Sequence, residues 1–336
     1  MIKIKKVGPI KGVNKDAMWK ALFAFLLIST CAGFFWATTQ TNYIWHWSRL
    51  PKYFYYTDTI NVTAEIEGEV TSISFAKGET AVIIKGGGQS EHYTFPGNDV
   101  RVSEGSTAYM GDVVGVYQEG RIGLLTEGLI ITIEVSLVSI VLGILLGLFT
   151  GLARISTNPC IKWTAITYIE IIRGTPLLVQ IMIWYFVLGT IINNLLHKAG
   201  LFTIPELWFG VASLAIFAGA YVAEIVRAGI QSIDRGQMEA ARSLGMTKAV
   251  AMRKIILPQA FKRILPPLAG QFISLIKDSS LLGVIAIREL TKATREAVTT
   301  SLMPYELWFL CGVMYLVITF ALSMFVQYLE RRTAEV

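Results

Sequence analysis

DRGQMEAARSLGMTKAVAMRKIILPQ, Asp234 to Gln259, is the stretch that decides how the rest of the chain is read. It is a polar, basic insertion between two strongly apolar segments. Asp234 has the side chain of a helix N-cap, and Gln237, three residues on, stands where a capping box places its partner. Gly245 falls where a helix end needs a left-handed residue. Thr247 offers a second cap, for a helix expected to run to Leu257 and meet Pro258. The stretch predicts two short helices joined by a glycine elbow and held at a membrane surface. An ordinary amphipathic cytoplasmic loop is the plainer alternative.

The surrounding composition supplies the membrane. Of 336 residues 53% are hydrophobic and only 16% charged, more apolar surface than a soluble core of this size hides. The net charge of +6 would suit a nucleic-acid binder, but the basic residues gather at segment ends, as the positive-inside rule requires. No nucleic-acid partner is expected. Cys31, Cys160 and Cys311 are scattered and His46, His92 and His197 lie far apart, so neither a disulfide framework nor a metal site is implied. No GxxxxGK[ST] loop occurs. No catalytic residue and no cofactor are therefore expected on this chain.

Residues 1–17 carry Lys3, Lys5, Lys6, Lys11 and Lys15 against Asp16, and Met18 to Thr38 is a first span running outward from the cytoplasm. A cleaved signal peptide is disfavoured: the run is long, ends in Phe34-Phe35-Trp36 and lacks a small-x-small site. Tyr43, Trp45, Trp47 and Tyr53 to Tyr56 read as an interfacial aromatic linker. Residues 57–120 change character: Val62–Glu67, Val70–Phe75, Ala81–Lys85 and Glu91–Phe95 read as strands, with a turn at Gly86-Gly87-Gly88. Val102 to Gly115 loosely resembles the turn-rich repeat of lipoyl-like domains, in shape only.

Gly123 to Leu152 is the second span. Gly143, Gly147 and Gly151 fall on one face, where a neighbouring helix approaches closely, and Glu134 is a carboxylate at membrane depth, costly unless paired or wet. Residues 153–173, with Arg154, Lys162 and Arg173, return to the cytoplasmic side. RGTPLLVQ, Arg173 to Gln180, opens the third span, to about Asn194. Pro176 and Gly174 predict a broken helix there, which makes Thr175, Pro176 and Gln180 candidates for the substrate path. Leu207 to Ile230 is the fourth span, with Glu224 and Arg227 expected to pair. Ile264 to Ile287 is the fifth and carries Lys277-Asp278-Ser279-Ser280, polar groups that are expensive in a span. Residues 288–304 form a charged outer connection, and Tyr305 to Tyr328 is the last span, before Glu330-Arg331-Arg332 inside.

Glu239-Ala240-Ala241, Gly245, Ile255, Leu257 and Pro258 stand at a spacing that resembles the EAA loop, the ATPase-docking loop of ABC importer permeases. RGTPLL, GAYVAEIVRAGI (Gly219 to Ile230) and KDSSL (Lys277 to Leu281) resemble the polar amino-acid branch, the histidine/glutamine/glutamate uptake class. The resemblance covers about residues 120–332; the first 120 depart from it. It implies the ABC importer permease fold; with the first span and the strands read above, the expected fold is an all-α membrane bundle of about six spans plus a small external all-β domain. The expected division is 1–56 tail, anchor and linker, 57–120 external β domain, and 121–336 permease. Glu239, Ala240, Ala241, Gly245, Met246, Ile255, Leu257 and Pro258 would dock the ATPase. ATP and Mg would bind on that partner, present in two copies. A second permease subunit, identical or not, and an extracytoplasmic amino-acid-binding protein complete the implied assembly.

The implied setting is a bacterial inner membrane, with both termini cytoplasmic and residues 39–120 external. The function expected is ATP-driven import of a polar or charged amino acid. A zwitterion needs both its charges matched: helix N-termini or Lys277 for the carboxylate, Glu134 or Asp278 for the ammonium. The alternatives are a permease for another small solute, a channel or secondary carrier not driven by ATP, and a membrane-tethered scaffold.

Overall fold

A computed structural model describes residues 15–41 and 43–334. The lysines before residue 15, and the side chains of Glu330, Arg331 and Arg332, lie outside the described residues. Among those described, six helices are long and apolar enough to cross a membrane.

Met1–Trp47 is a unit by itself. Its helix α1, Lys15–Gln40, is about 39 Å long at the usual rise. Trp19, Phe23, Phe25, Phe34 and Trp36 stand exposed along it, as on a helix solvated by lipid. The hydroxyls of Thr30 and Thr39 bond back to the carbonyls of Leu26 and Trp36 at 2.8 and 2.7 Å, so they cost little in an apolar medium. Trp45 and Trp47 stack at 5.3 Å.

The second unit, Ser48–Val336, begins with the β module. A three-stranded antiparallel sheet orders β1 (Tyr55–Thr63), β7 (Val113–Ile122) and β5 (Asp99–Val100). A four-stranded sheet orders β4 (Gln89–Pro96), β3 (Glu79–Gly86), β2 (Gly68–Ala76) and β6 (Thr107–Ala108). Hairpins close at Lys77-Gly78 and Gly87-Gly88, all four residues at positive φ, the conformation a tight two-residue turn demands. Alternation along β3 buries Val82 and Ile84, which pack with Val70, Tyr93, Phe95 and Val114. Two expectations shift. Tyr55 and Tyr56 belong to β1 rather than to a linker, and the strand expected at Val62–Glu67 ends at Thr63, where the register slips. Tyr55 to Thr59 pair only with β7, so β1 and β7 form a two-stranded ribbon below the module's core. At its foot the Gly123 amide donates to the Phe54 carbonyl at 2.8 Å, and the chain passes straight into α2.

The bundle comprises α2 (Leu124–Arg154), α3 (Pro159–Gly174), α4 (Leu177–Met182), α5 (Thr190–Lys198), α6 (Glu206–Gln231), α7 (Arg235–Ser243), α8 (Lys248–Ala251), α9 (Leu257–Asp278), α10 (Leu290–Ser301) and α11 (Pro304–Ala334). Helices α2 and α6 run parallel in close contact: Gly143, Gly147 and Gly151 lie against Ala218, Val222 and Val226. A Cβ on Gly143 would come within 2.9 Å of the Ala218 Cβ. The glycines thus let two backbones meet without a cavity. Around them Val135, Ile140, Ile181, Leu214, Leu275 and Leu282 form the main core. A second core joins Tyr53 and Leu125 to α10 and the start of α11, and roots the β module on the bundle. The module therefore stands at the end opposite the Asp234–Gln259 stretch, which marks the loop end.

Two stretches read only as connections are helical. Within residues 153–173, α3 turns back along α2, and the Tyr168 hydroxyl donates to the Ile216 carbonyl at 2.6 Å. Within residues 288–304, α10 lies on α2: a Cβ on Gly128 would meet the Ala293 Cβ at 2.7 Å. Both are amphipathic helices that pack on α2, α3 on α6 as well, partners that local periodicity does not reveal.

Candidate functional site

Three features of the bundle carry chemistry: the loop, the broken helix, and a charged cleft beside them. In the loop, the Asp234 side chain accepts from the Gly236 amide at 2.7 Å, and Thr247 accepts from the Val250 amide at 3.3 Å. Both are N-caps. The reciprocal half of the capping box is not made: the Gln237 amide oxygen accepts from Gln259 at 3.3 Å instead, which ties α7 to α9. Helix α7 ends in a Schellman arrangement. Gly245 sits at φ +81°, its amide donates to the Arg242 carbonyl at 3.0 Å, and the Met246 amide donates to Ala241 at 3.1 Å. The Arg242 guanidinium then closes on the Met246 carbonyl at 3.0 Å.

The second helix does not stop at Leu257. It passes through a π-turn, Met252–Ile256, and continues as α9 to Asp278. The fifth span thus starts well before Ile264. Pro258 lacks an amide hydrogen, and the widened turn before it relieves the clash and the missing bond that would end a regular helix.

The loop faces two ways. Ala241 and Ala251 are buried, and Met238, Ile255 and Leu257 pack with Val226, Ile230 and Ile233 at the end of α6. Glu239, Ala240, Gly245 and Pro258 are exposed, with Leu244 80% exposed among them; Met246 is half-buried. Of the residues that the resemblance assigns to docking, Ala241, Ile255 and Leu257 fix the loop to the bundle, while the others stand toward its open face. Leu244 was missed; its signal is an apolar residue just before the helix-ending glycine.

The break lies where RGTP predicts it. Thr175 and Pro176 are extended between α3 and α4. Gln180, buried, donates to the Ile172 and Thr175 carbonyls at 2.7 and 3.1 Å and to the Thr175 hydroxyl at 2.8 Å. One side-chain amide thus serves carbonyls that the missing turn leaves open. Past α4 the path widens again into a π-turn, Ile183–Gly189.

The polar groups of the spans are dispersed. Glu134 is exposed on α2, next to the buried Val135. Asp278 ends α9 half-buried, Ser279 is buried with its hydroxyl on the Ile276 carbonyl at 2.7 Å, and Ser280 is half-buried. Lys277 is exposed and lines a cleft of about 290 Å³ with Ser280, Thr291, Trp308 and Tyr315. Behind Thr291 and Tyr315 lies Glu289, which sequence reading passed over. Fully buried, it caps α10 by accepting from the amides of Thr291 and Lys292, each at 2.7 Å, and from the Tyr315 hydroxyl at 3.0 Å. Burial pushes its carboxyl above the ordinary value, and those hydrogen bonds pull it back only in part.

At the loop end, Glu224 and Arg227 pair as expected, Nε and Nη2 lying 3.1 and 2.9 Å from one carboxylate oxygen. The pair is part of a larger network. Arg154 of α2 meets the other oxygen, and Arg173, at the end of α3, stands 3.9 Å away. Arg173 also lies over the Tyr221 ring at 5.3 Å. Three arginines share one carboxylate, and Glu224, Arg173 and Arg227 line, with Ser232, Arg263 and Pro267, a cleft of about 600 Å³. Among the described residues no group of three His, Cys, Asp or Glu side chains could hold a metal ion.

This architecture has relatives. Residues 143–335 match the family described as "binding-protein-dependent transport system inner membrane component". The glutamine transport system permease protein GlnP of Escherichia coli (strain K12) is 39% identical over 211 residues, which are 63% of this chain and 93% of that protein. The arginine transport system permease protein ArtQ of Bacillus subtilis (strain 168) is 35% identical over 212 residues, again 63% and 93%. Among solved structures, that of an amino acid ABC transporter with histidines superposes with a TM-score of 0.55 at 43% identity, covering 62% of this chain and 94% of that one. The family match begins inside α2, so the β module and α1 lie outside it. From α2 onward the helices, the broken third span and the capped loop make up the matched part, and the chain belongs to the family of inner membrane components of binding-protein-dependent transport systems.

Proposed function

We propose that the chain is the permease subunit of an ATP-driven importer for a polar or charged amino acid. The observation that carries this is the loop of residues 234–257: capped at both helix starts, closed by a Schellman turn, and fixed to α6 by a continuous apolar seam. A rigid loop of this kind, with an open face of Glu239, Ala240, Leu244 and Gly245, suits a surface that another chain grips. That partner would be an ABC ATPase in two copies, holding ATP and Mg, because this chain has no phosphate-binding loop of its own. Two permease subunits, identical or not, would sit above it, and a binding protein would deliver solute on the other side.

The sidedness follows from charge. Arg154, Lys162, Arg173, Arg227, Arg235, Arg242, Lys248, Arg253, Lys254, Lys262 and Arg263 crowd the loop end, which makes it cytoplasmic. The β module then stands outside and both termini inside. The relatives named for glutamine and arginine support an amino acid as the solute. The substrate path would follow the broken helix at Thr175, Pro176 and Gln180 and the polar run Lys277 to Ser280, with Glu134 on the opposing span. Purification of the full chain from membranes should bring down an ATPase chain. The complex in vesicles should then take up labelled L-glutamine or L-arginine only with ATP on the loop side. Uptake without ATP would favour a channel or secondary carrier instead.

A further inference from the structure

The cleft at the loop end carries more positive charge than it neutralises. Arg173, Arg227 and Arg263 line it against one carboxylate, Glu224. Both oxygens of that carboxylate are engaged, one by Arg154 of α2 and the other by Arg227. Arg173 reaches it only at 3.9 Å, beyond hydrogen-bond range, and keeps 41% of its side chain exposed. Arg263 donates to the Ser232 carbonyl, a neutral partner that leaves its charge uncompensated. Two guanidiniums therefore offer forked donors, which select an anion and suit a phosphate.

Much of the remaining lining is apolar: Ile225, Ala228 and Pro267, with the Tyr221 ring over which Arg173 lies. An inorganic phosphate would leave that surface against water, whereas an amphiphile uses both parts of the cleft. The depth agrees. From Glu206 to Glu224, α6 rises about 27 Å, against about 30 Å of hydrocarbon, so the cleft lies at the level of lipid headgroups. Basic pockets between spans on a cytoplasmic face hold anionic headgroups in this way.

We propose that this cleft is a site for one anionic phospholipid, its phosphate on Arg173 and Arg263 and its glycerol on Ile225, Ala228 and Pro267. At about 600 Å³ it falls within the usual range for small-molecule sites; it takes the headgroup and glycerol, while the tails stay in the bilayer. The lipid joins three elements: the end of α3 beside the helix break, the last turns of α6, and the first turns of α9 after the docking loop. The site requires that the loop end face a lipid leaflet. It does not depend on which solute the chain moves.

The test uses the full chain, in the assembly purified from membranes and reconstituted into phosphatidylcholine vesicles. A small fraction of phosphatidylglycerol carries a photoreactive group near its glycerol, and crosslinked peptides are mapped by mass spectrometry. Labelling should concentrate on the lining segments of α6 and α9. Unlabelled phosphatidylglycerol should displace it, and neither added phosphatidylcholine nor inorganic phosphate should. Arg173→Gln and, separately, Arg263→Gln should raise about fivefold the phosphatidylglycerol fraction needed for half-maximal labelling, the effect of one arginine at an anionic surface. Arg173→Lys should cost less. Lys162→Gln, at an exposed position outside the cleft, should change nothing. Should one glutamine variant fail to assemble, the other decides. Labelling spread evenly over the spans, glutamine variants labelled like wild type, or an equal loss in Lys162→Gln would each overturn the site. Displacement by inorganic phosphate would replace the lipid with a free anion and overturn it as well.

Discussion

Gly245 shows how much one backbone angle decides. At φ +81° it closes α7 and sets the direction of α8, and a β-branched residue there costs about 1–3 kcal/mol. Gly245→Val should leave the bundle folded but uncouple the partner's ATP hydrolysis from uptake; wild-type coupling would count against the docking geometry. Glu289 gives a pH signature. Its folded value lies above the ordinary 4.5, so the folded state binds the proton more tightly. This group's contribution to stability is therefore fully present below 4.5 and is lost as pH rises through the raised value. Glu289→Gln should flatten that part of the thermal-unfolding profile against pH. Glu134→Gln with Asp278→Asn, by contrast, should abolish uptake while the assembly stays intact; undiminished uptake would remove both from the path. Single residues were legible in sequence where their partners are local: Asp234, Thr247, Gly245 and the Glu224–Arg227 pair. Arg154 and Arg173 joining Glu224, and Tyr315 reaching Glu289, were not, because those partners are distant in sequence and only tertiary packing unites them.

At the scale of elements, apolar length and breaker residues gave six spans and the break at Thr175-Pro176. What they did not give was α3, α10 and the continuation through Pro258. Proline reads as a stop because it ends a regular helix, and a π-turn that accommodates it has no composition of its own. The gap between α2 and α6 is a sharper case. Gly147 leaves room for nothing larger: a Cβ would lie 2.7 Å from the Gly219 carbonyl oxygen. Gly147→Leu should separate the two helices, with a loss of several kcal/mol, about the 1–3 kcal/mol of overpacking plus the contacts forfeited along the seam. Detergent-solubilised protein should aggregate or melt far earlier than wild type. The same change at Gly174, which has nothing within 4 Å, should leave the melting temperature nearly unmoved.

For the molecule as a whole, the bundle's main core and the seam under the loop draw no side chain from the β module. The two ends of the module arrive side by side: Tyr55 pairs with Ile122, and Gly123 bonds to Phe54. Paired strands place such neighbours about 5 Å apart, a gap that one or two peptide units bridge. The insert is thus a cassette with a single seam. A shortened chain in which a glycine pair replaces Tyr55 to Ile122 should keep its spans in register, and a gene could acquire, exchange or discard the insert without redrawing the transporter beneath.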